Sequence, residues 1–468
     1  MIVGDFAKFE CQDCAVGPDR SFDATIDLNA DGDQPDVVPG EVNEDGLYIN
    51  GFGRPGRRLE STILLKTGIF KDIGAYNVLP EHSLEAPNYL ISDSICADLF
   101  ADDVLRSLRA TGVRVELLVV PTWAEANEPS TEPSKTVAEF HRLIDEILKK
   151  GITKHSCIIS LGGGVVNNIC GLLASFLFRG ISLIHLTTST MGAFDAAIDF
   201  KQAINHDCGK NLLGAYYPAS SIVIDPAVFS TVTPRHMLNG LAEALKHGLT
   251  QSQRLTDLIV QPLLKDPNVL TQPAYLEAVC RAVIEVKVPT LTWYNSSDFN
   301  EMCPQYGHAI GHAIEHLSWH PPARCDGQTN PKPSPLLHGE AVAIGMCISA
   351  EVAFLMGICD EECVEQHYRY VRATGLPAYV PSELTTEEVI AKMAYDKHHV
   401  KTPTMGLCSS IGCMAKKDDD SYTWAVQPEV VEKAIQLNAE RRDTPSYGEP
   451  KEASQTSSPP SIMARWRA

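Results

Sequence analysis

Residues 157–168 read CIISLGGGVVNN, and this stretch decides the fold. The apolar run at 157–161 is typical of a buried strand, and the three glycines at 162–164 are typical of a tight turn. A helical pattern follows, and a second apolar run occupies 181–186. Strand, glycine turn, helix and strand in this order predict a βαβ unit with two parallel strands.

The glycine turn has two interpretations. Glycines carry no side chain, so a diphosphate could approach their backbone and accept hydrogen bonds from the free N–H groups of the following helix. The spacing differs from the usual GxGxxG, because Asn167 stands where the third glycine would be. A tight turn without a ligand explains the glycines about as well. The turn alone therefore leaves both interpretations open.

The segment after the βαβ unit, residues 195–218, contains charged and amide side chains within a largely apolar stretch. It contains Asp195, Lys201, Asn205, Lys210 and Asn211 among many apolar residues. Buried charges need partners, and a small anionic ligand rich in hydroxyl groups would supply them. The alternative is a loop whose lysines face water.

The remaining periodicity divides the chain into four parts. The leader, 1–57, is acidic and has little periodicity, so we expect it to be loosely ordered. Alternating strands and helices in 58–230 predict a parallel sheet covered on both faces. Region 231–438 is almost wholly helical, with a late hairpin predicted between 406–412 and 422–426. The tail, 439–468, is rich in serine, proline and charge, and we expect disorder.

Each part of this organisation follows from particular segments. The predicted strands are 61–65, 87–93, 113–120, 157–161, 181–186 and 222–225. The predicted helices are 97–110, 136–150, 236–249, 275–288, 306–317, 337–356, 361–374 and 386–395.

Composition limits the possible partners. The chain has 468 residues, of which 44% are hydrophobic, so it can bury a large core. Its formal net charge of −20 argues against a nucleic-acid partner or an anionic membrane, because both repel an acidic surface. An anionic substrate must therefore meet a locally basic pocket.

The cysteines indicate a reducing environment. Cys157, Cys170 and Cys347 lie in apolar runs, where free thiols behave as small hydrophobic groups. Cys11 and Cys14 form a CxxC without a second pair, which disfavours a zinc or redox role. We find no apolar signal segment at the N-terminus and no run of membrane-spanning length. These features predict a cytoplasmic enzyme.

The helical half carries a possible metal set. Glu243 and Lys246 share one helix, His308 and His312 are four residues apart on another, and His338 begins a third. The i, i+4 spacing places both imidazoles on one face of a helix. Two histidines, one carboxylate and an open position are typical of a catalytic zinc site. Two helical histidines in ordinary hydrogen bonds are the alternative, but a carboxylate in an apolar helix then lacks a partner.

Residues from about 90 to 400 resemble the sugar phosphate cyclases, whose type member is 3-dehydroquinate synthase. The family also includes 2-deoxy-scyllo-inosose synthase and the sedoheptulose 7-phosphate cyclases. The motifs that carry the resemblance occur in the family's order: the GGG turn, Asp195, Lys201, Lys210-Asn211, 240–246, 306–315 and 338–341. The resemblance implies an α/β fold in which an N-terminal Rossmann-like NAD-binding domain precedes a C-terminal all-helical metal-binding domain.

The resemblance also implies roles for individual residues. Glu243, His308 and His338 would hold a divalent metal, zinc or cobalt. The catalytic and sugar-contacting residues would be Asp195, Lys201, Glu243, Lys246 and His312, with Asn211 and Lys287. Those serving phosphate would be Arg179, Lys210, Asn211 and Lys397, and in this family the arginine often reaches the neighbouring subunit, which implies a homodimer. NAD would be lined by Asp93, Glu132, Lys135, Gly163, Gly164, Asn168, Thr187, Thr188 and Thr231.

The chemistry implied by the resemblance regenerates its cofactor. NAD removes a hydride from a metal-bound sugar hydroxyl, and the resulting ketone acidifies the adjacent C–H. Phosphate then leaves, the hydride returns, and an intramolecular aldol addition closes a carbocycle.

Three positions bear on the substrate. 3-Dehydroquinate synthases have Asp at the position of Asn168, and Arg and Asn at those of Glu301 and Gln305. A glutamate would repel a substrate carboxylate, which disfavours a heptulosonate. Asn168 and the segments around Lys201, Lys210 and 216–218 are similar to 2-deoxy-scyllo-inosose synthase, which acts on glucose 6-phosphate, although Gln305 departs from that subgroup.

Other functions stay open at this stage. A cyclase acting on sedoheptulose 7-phosphate, or a 3-dehydroquinate synthase, is the nearest alternative. A metal-dependent polyol dehydrogenase of the glycerol dehydrogenase type shares the implied architecture, but it has no need of Lys201, Lys210 and Arg179 together. A non-catalytic descendant is disfavoured because all three candidate metal ligands are present.

Overall fold

The computed structural model describes residues 25–27, 60–125, 128–206, 209–291, 298–319, 334–393 and 403–443. The strands in these residues are β1 (Thr25–Asp27), β2 (Glu60–Leu65), β3 (Asn88–Asp93), β4 (Val115–Val120), β5 (Trp123–Glu125), β6 (Glu128–Ser130), β7 (Cys157–Gly162), β8 (Ser182–Thr187), β9 (Lys201–His206), β10 (Gly209–Tyr216), β11 (Ser221–Ile224), β12 (Thr404–Met405), β13 (Cys408–Ser410), β14 (Cys413–Met414) and β15 (Trp424–Ala425). The α-helices are α1 (Ser94–Cys96), α2 (Asp102–Arg109), α3 (Val137–Lys150), α4 (Gly164–Phe176), α5 (Pro234–Gln251), α6 (Gln253–Lys265), α7 (Pro273–Lys287), α8 (Asp298–Met302), α9 (His308–Trp319), α10 (His338–Leu355), α11 (Glu361–Ala373), α12 (Thr386–Met393) and α13 (Pro428–Asp443).

A seven-stranded sheet organises the N-terminal half, in the order β1-β2-β11-β8-β7-β3-β4. All neighbouring pairs are parallel except β1 and β2. Strands β3 and β7 are buried along their whole length, as expected for central parallel strands covered on both faces. The predicted α/β class and the predicted strand–turn–helix–strand unit are confirmed.

The strand order places a crevice beside the glycine turn. From β3 the chain proceeds outward to β4, and from β7 it proceeds in the opposite direction to β8 and β11. The neighbours β3 and β7, paired through Ser92 and Leu161, therefore form the topological switch point of the sheet. In open α/β sheets, ligands bind outside the carboxyl ends of strands at such a point.

Helices dominate the C-terminal half, which confirms the predicted helical domain. Helix α10 packs against α5, α9, α11 and α13, and its central position explains why nearly all its residues are buried. It is also the one helix in the described ranges that is long and apolar enough to cross a membrane, and 83% of that window is buried within the protein. Burial of this kind is typical of a core helix.

Four details differ from the sequence-based expectations. The leader contributes β1, which pairs antiparallel with β2, so it is not wholly without regular structure. The late hairpin is wrong in its pairing, because β13 pairs with β14 and β12 pairs with β15. Helix α6 was not predicted, and it contains Pro262. Helix α13 was also missed, and it continues to Asp443, past the boundary placed at 438.

Candidate active site

Several of the residues predicted to line NAD lie along the carboxyl edge of the sheet. Asp93 ends β3, and its carboxylate accepts hydrogen bonds from the backbone N–H groups of Ile95 and Cys96. Gly163 precedes α4 and provides no side-chain cap, so the first N–H groups of that helix lack a side-chain acceptor. At the switch point, the acidic Asp93 therefore lies at the end of β3, and the N-terminus of α4, which attracts anions, lies at the end of the neighbouring β7.

Lysine 135 connects this edge to the hairpin formed by β9 and β10. Its side chain is 5% exposed, and its Nζ donates to Asn168 Oδ1 at 2.8 Å and to Asn211 Oδ1 at 2.6 Å. Burial lowers the pKa of Lys135. Asn205 extends the network, because its side chain donates to Glu132 Oε1 at 2.8 Å and accepts from the Asn211 backbone at 2.9 Å. Four of the predicted ligand-binding residues thus form one polar cluster.

A second cluster surrounds a fully buried lysine. Lys287 is 1% exposed and forms an ion pair with Asp195, while Asp199 Oδ2 lies 4.0 Å from its Nζ. Burial lowers the pKa of Lys287, but the two carboxylates outweigh it and raise the pKa overall. Lys201, which is half exposed, lies 3.9 Å from the same Asp199 oxygen. Two predicted sugar-contacting lysines therefore share one acidic partner.

The candidate metal ligands converge from three helices. Glu243 Oε1 on α5 lies 3.8 Å from His308 Nε2 on α9 and 3.4 Å from His338 Nε2 on α10. The nearest ligand atoms of His308, His312 and His338 all lie within 4.8 Å of one another. The structure thus places His312 beside His308 and His338, while Glu243 approaches the latter two.

Two observations test whether a metal fits. Glu243 Oε1 is buried and has no hydrogen-bond partner in the described structure, because the approach of His338 lacks hydrogen-bond geometry. A buried unpartnered carboxylate oxygen is costly, and an ion would satisfy it. His308 Nδ1 donates to the carbonyl oxygen of Tyr306 at 3.2 Å, which leaves Nε2 free to bind a metal. The donor set therefore fits a divalent ion.

The charges around this set favour a cation. Glu243 is fully buried and forms an ion pair with Lys246, itself 1% exposed. Burial raises the pKa of Glu243, but Lys246 and the two histidines lower it well below its ordinary value. Burial lowers the pKa of His338, but the carboxylates of Glu243 and Glu315 raise it to about 10. The carboxylates of Glu243 and Glu315 thus lie on opposite sides of the His338 ring, at 3.4 Å from Nε2 and 3.1 Å from Nδ1, and their negative charge favours a cation there.

One predicted phosphate ligand lies at this metal set. Lys210, on β10, donates to Glu315 Oε1 on α9 at 2.6 Å, and Glu315 Oε2 lies 3.1 Å from His338 Nδ1. The hairpin of the N-terminal half therefore reaches the metal-binding half. Glu315 was not assigned a role from sequence, although it closes the 306–315 motif.

Three predicted residues stand apart. Arg179 follows α4, whose N-terminus is at the glycine turn, so the rise of about 1.5 Å per residue places it roughly 20 Å from that turn. Thr231 is exposed beyond β11, and its hydroxyl donates to the carbonyl of Val228. Lys397 lies outside the described residues. Thr187 ends β8 and Thr188 follows it, so both lie at the sheet edge.

Family models match both halves of the chain. Residues 126–239 match the 3-dehydroquinate synthase N-terminal model, and residues 240–399 match the C-terminal model. The 3-dehydroquinate synthase of Desulforamulus reducens is 32% identical over 338 residues, which cover 72% of this chain and 87% of that protein.

Two solved structures are also similar. A 2-deoxy-scyllo-inosose synthase complexed with carbaglucose-6-phosphate, NAD+ and Co2+ has a TM-score of 0.67 and 25% identity, over 82% of this chain and 97% of that one. ValA, a 2-epi-5-epi-valiolone synthase from Streptomyces hygroscopicus with NAD+ and Zn2+ bound, has a TM-score of 0.66 and 25% identity, over 81% of this chain and 97% of that one. The candidate metal set, the sheet-edge crevice and these matches agree: the chain belongs to the 3-dehydroquinate synthase family.

Proposed function

We propose that this chain is a sugar phosphate cyclase that uses NAD and a divalent metal, zinc or cobalt, to convert a phosphorylated sugar into a carbocycle. The observation that carries the proposal is the convergence of Glu243, His308 and His338 beside buried lysines. The similar structures named above contain NAD+ with Co2+ or Zn2+. When bound, the metal would acidify a sugar hydroxyl and NAD would accept and return its hydride.

The chain's own residues would supply the remaining steps. Lys210 and Asn211, neighbours on the hairpin, would bind the phosphate and neutralise its charge as it leaves. Lys287 and Lys246 are buried cations beside carboxylates, so they would hold sugar oxygens in place and stabilise negative charge without solvent reorganisation. His312 lies beside the metal set, where an imidazole could move a proton to or from the sugar.

We infer that glucose 6-phosphate is the first substrate to test. Glu301 lies on α8, and Gln305 accepts a backbone hydrogen bond from His308 N at 2.9 Å, one turn before the metal set. A glutamate at this position supplies no cation for a substrate carboxylate and would repel one. Glucose 6-phosphate has no carboxylate, so it needs no such cation. Sedoheptulose 7-phosphate also lacks a carboxylate and is the second candidate. A heptulosonate is disfavoured on the same ground.

A homodimer would explain the position of Arg179. This residue adjoins Phe176 and Phe178, which are 65% and 44% exposed, and β10 exposes Leu212 and Leu213. Exposed apolar side chains at this density favour a protein contact. Arg179 would then serve the sugar phosphate of a partner subunit, as the family resemblance implies. Sedimentation of the purified chain, compared with Phe176→Ser, tests this assembly.

The deciding experiment measures phosphate and NADH together. The purified chain receives NAD+ and Co2+ with glucose 6-phosphate, sedoheptulose 7-phosphate or 3-deoxy-arabino-heptulosonate 7-phosphate. We expect phosphate release without accumulation of NADH, and the fastest release from glucose 6-phosphate. Steady NADH accumulation without phosphate release would instead indicate a polyol dehydrogenase.

A charge reversal tests the role of Glu301. Glu301→Arg should lower turnover of glucose 6-phosphate relative to the heptulosonate, because it restores a cation for a carboxylate. Glu361→Arg, an exposed glutamate in the first turn of α11, is the matched control and should leave the substrate ratio unchanged. An equal ratio in both variants contradicts the assignment of Glu301.

A further inference from the structure

Glu315 is a buried carboxylate with two different partners. Its side chain is 7% exposed on α9, between the metal set and the hairpin. Oε2 accepts from His338 Nδ1 at 3.1 Å, and Oε1 accepts from Lys210 Nζ at 2.6 Å. Both carboxylate oxygens therefore face nitrogen donors, one of them the ammonium group of Lys210, which favours the charged form of Glu315.

The first contact orients a metal ligand. A carboxylate at Nδ1 keeps the ring proton on that nitrogen and turns Nε2 toward Glu243 Oε1, 3.4 Å away. The negative charge behind the ring also makes Nε2 a stronger electron donor. His308 has only the neutral carbonyl of Tyr306 in the equivalent position. His338 is therefore the ligand whose strength a charge change can alter.

The second contact comes from the other half of the protein. Lys210 lies 105 residues before Glu315 and reaches it from β10. Its side chain is 50% exposed, and Glu132 Oε1 lies 4.0 Å from its Nζ. A half-exposed ammonium group can turn toward a more strongly charged anion, and Glu315, the carboxylate it leaves, keeps His338 as a partner.

We propose that Glu315 is a positioning residue that couples phosphate binding to the strength of the metal site. While Lys210 is paired with Glu315, its positive charge partly neutralises the carboxylate that hydrogen-bonds to His338. A phosphate that attracts Lys210 returns the full charge of Glu315 to His338, and the metal is held more tightly. The coupling rests on the proposed function, because it places a divalent ion at His338 and a phosphate near Lys210.

Linkage makes the coupling reciprocal. If an anion at Lys210 tightens metal binding by some factor, the metal tightens anion binding by the same factor. The sugar phosphate would therefore strengthen the site as it arrives, and loss of phosphate would relax it.

Cobalt titration of the metal-free chain tests the first contact. The visible d–d absorption of Co2+ reports both affinity and ligand geometry, and it needs no substrate. Glu315→Gln retains an acceptor for Nδ1 but loses the charge, and we expect about tenfold weaker Co2+ binding. Glu315→Ala loses both and should weaken binding by up to about 100-fold with a shifted band. Circular dichroism verifies that each variant is folded.

A double-mutant cycle tests the coupling. Lys210→Met should tighten Co2+ binding several-fold in the native background and distinctly less in Glu315→Gln. Sulfate, a tetrahedral dianion that binds Co2+ weakly, should tighten Co2+ binding in the native chain and have little effect in Lys210→Met. Lys150→Met is the matched control, because Lys150 forms an exposed ion pair with Glu116 at 3.1 Å.

The outcomes separate this inference from the proposed function. Unchanged Co2+ affinity and spectrum in Glu315→Gln and Glu315→Ala overturn the positioning role. Equal effects of Lys210→Met in both backgrounds, or an undiminished sulfate response in Lys210→Met, overturn the coupling. Absence of cyclase activity with intact Co2+ binding contradicts only the substrate assignment, whereas absence of Co2+ binding in the native chain contradicts the metal site itself.

Discussion

Asp195 and Lys287 form an ion pair, and we expect removal of the aspartate charge to lower the free energy of unfolding much more than removal of the lysine charge. Lys287 is 1% exposed, so Asp195→Asn leaves a buried ammonium group whose remaining carboxylate, Asp199, lies 4.0 Å away. Breaking a buried pair from this side costs about 3–5 kcal/mol. Asp195 is 27% exposed, so after Lys287→Met its carboxylate can reach water, and we expect a cost of about 1–2 kcal/mol.

Urea unfolding of the metal-free chain measures these free energies. The double variant Asp195→Asn/Lys287→Met has no uncompensated charge, so its loss should be smaller than the sum of the single losses by at least about 2 kcal/mol. The exposed pair Lys150–Glu116, whose side chains are 39% and 53% exposed, should couple by less than about 1 kcal/mol. Equal losses for the two single variants, or additive losses in the double variant, would refute the reasoning from burial.

Three further predictions concern other parts of the fold. Burial raises the pKa of Glu285 to about 7 from 4.5, so stability present below pH 4.5 is lost as the pH rises through 7. Glu285→Gln should remove this dependence. At pH 8 its free energy of unfolding in urea should exceed that of the native chain by about 1 kcal/mol, because the group is only partly buried and solvent screens it, and at pH 4.5 there should be no gain. Gly339→Ala should lower the free energy of unfolding in urea by about 1–3 kcal/mol, because the new Cβ would lie 2.0 Å from the Asn239 carbonyl oxygen. The same shift should weaken Co2+ binding at the adjacent His338. Unchanged stability contradicts this close packing. Lys135→Met should weaken NAD+ binding about tenfold by calorimetry, since the amides of Asn168 and Asn211 lose their shared donor; unchanged affinity removes Lys135 from the cofactor site.

Local patterns in the sequence were sufficient for much of the fold. The apolar run, glycine turn and helix at 157–168 predict a βαβ unit because each signal depends on neighbours within a few residues. The i, i+4 histidines of α9 share a face for the same reason. Their assignment to a metal set required more, since Glu243 and His338 come from other helices and were linked to them only by residue chemistry and by family resemblance.

Signals that depend on distant partners were missed or misread. Helix α6 was not predicted, and it stays continuous around Pro262, a residue that usually kinks or ends a helix. The segments 406–412 and 422–426 have strand character, but pairing partners are chosen by tertiary packing, and each pairs with a different strand. The strand β1 forms only because the edge of β2 is available to it.

The sequence by itself determined the α/β class, the helical second half and the residue types of a metal and phosphate site, because these are written in local periodicity and motif order. Only the tertiary structure decided which charges meet. Asp195 and Lys287 are 92 residues apart, and Lys210 and Glu315 are 105 apart. Such pairs form only when the hairpin and the helices pack against one another. The same packing buries the charged groups, and their burial sets how much each pair contributes to stability.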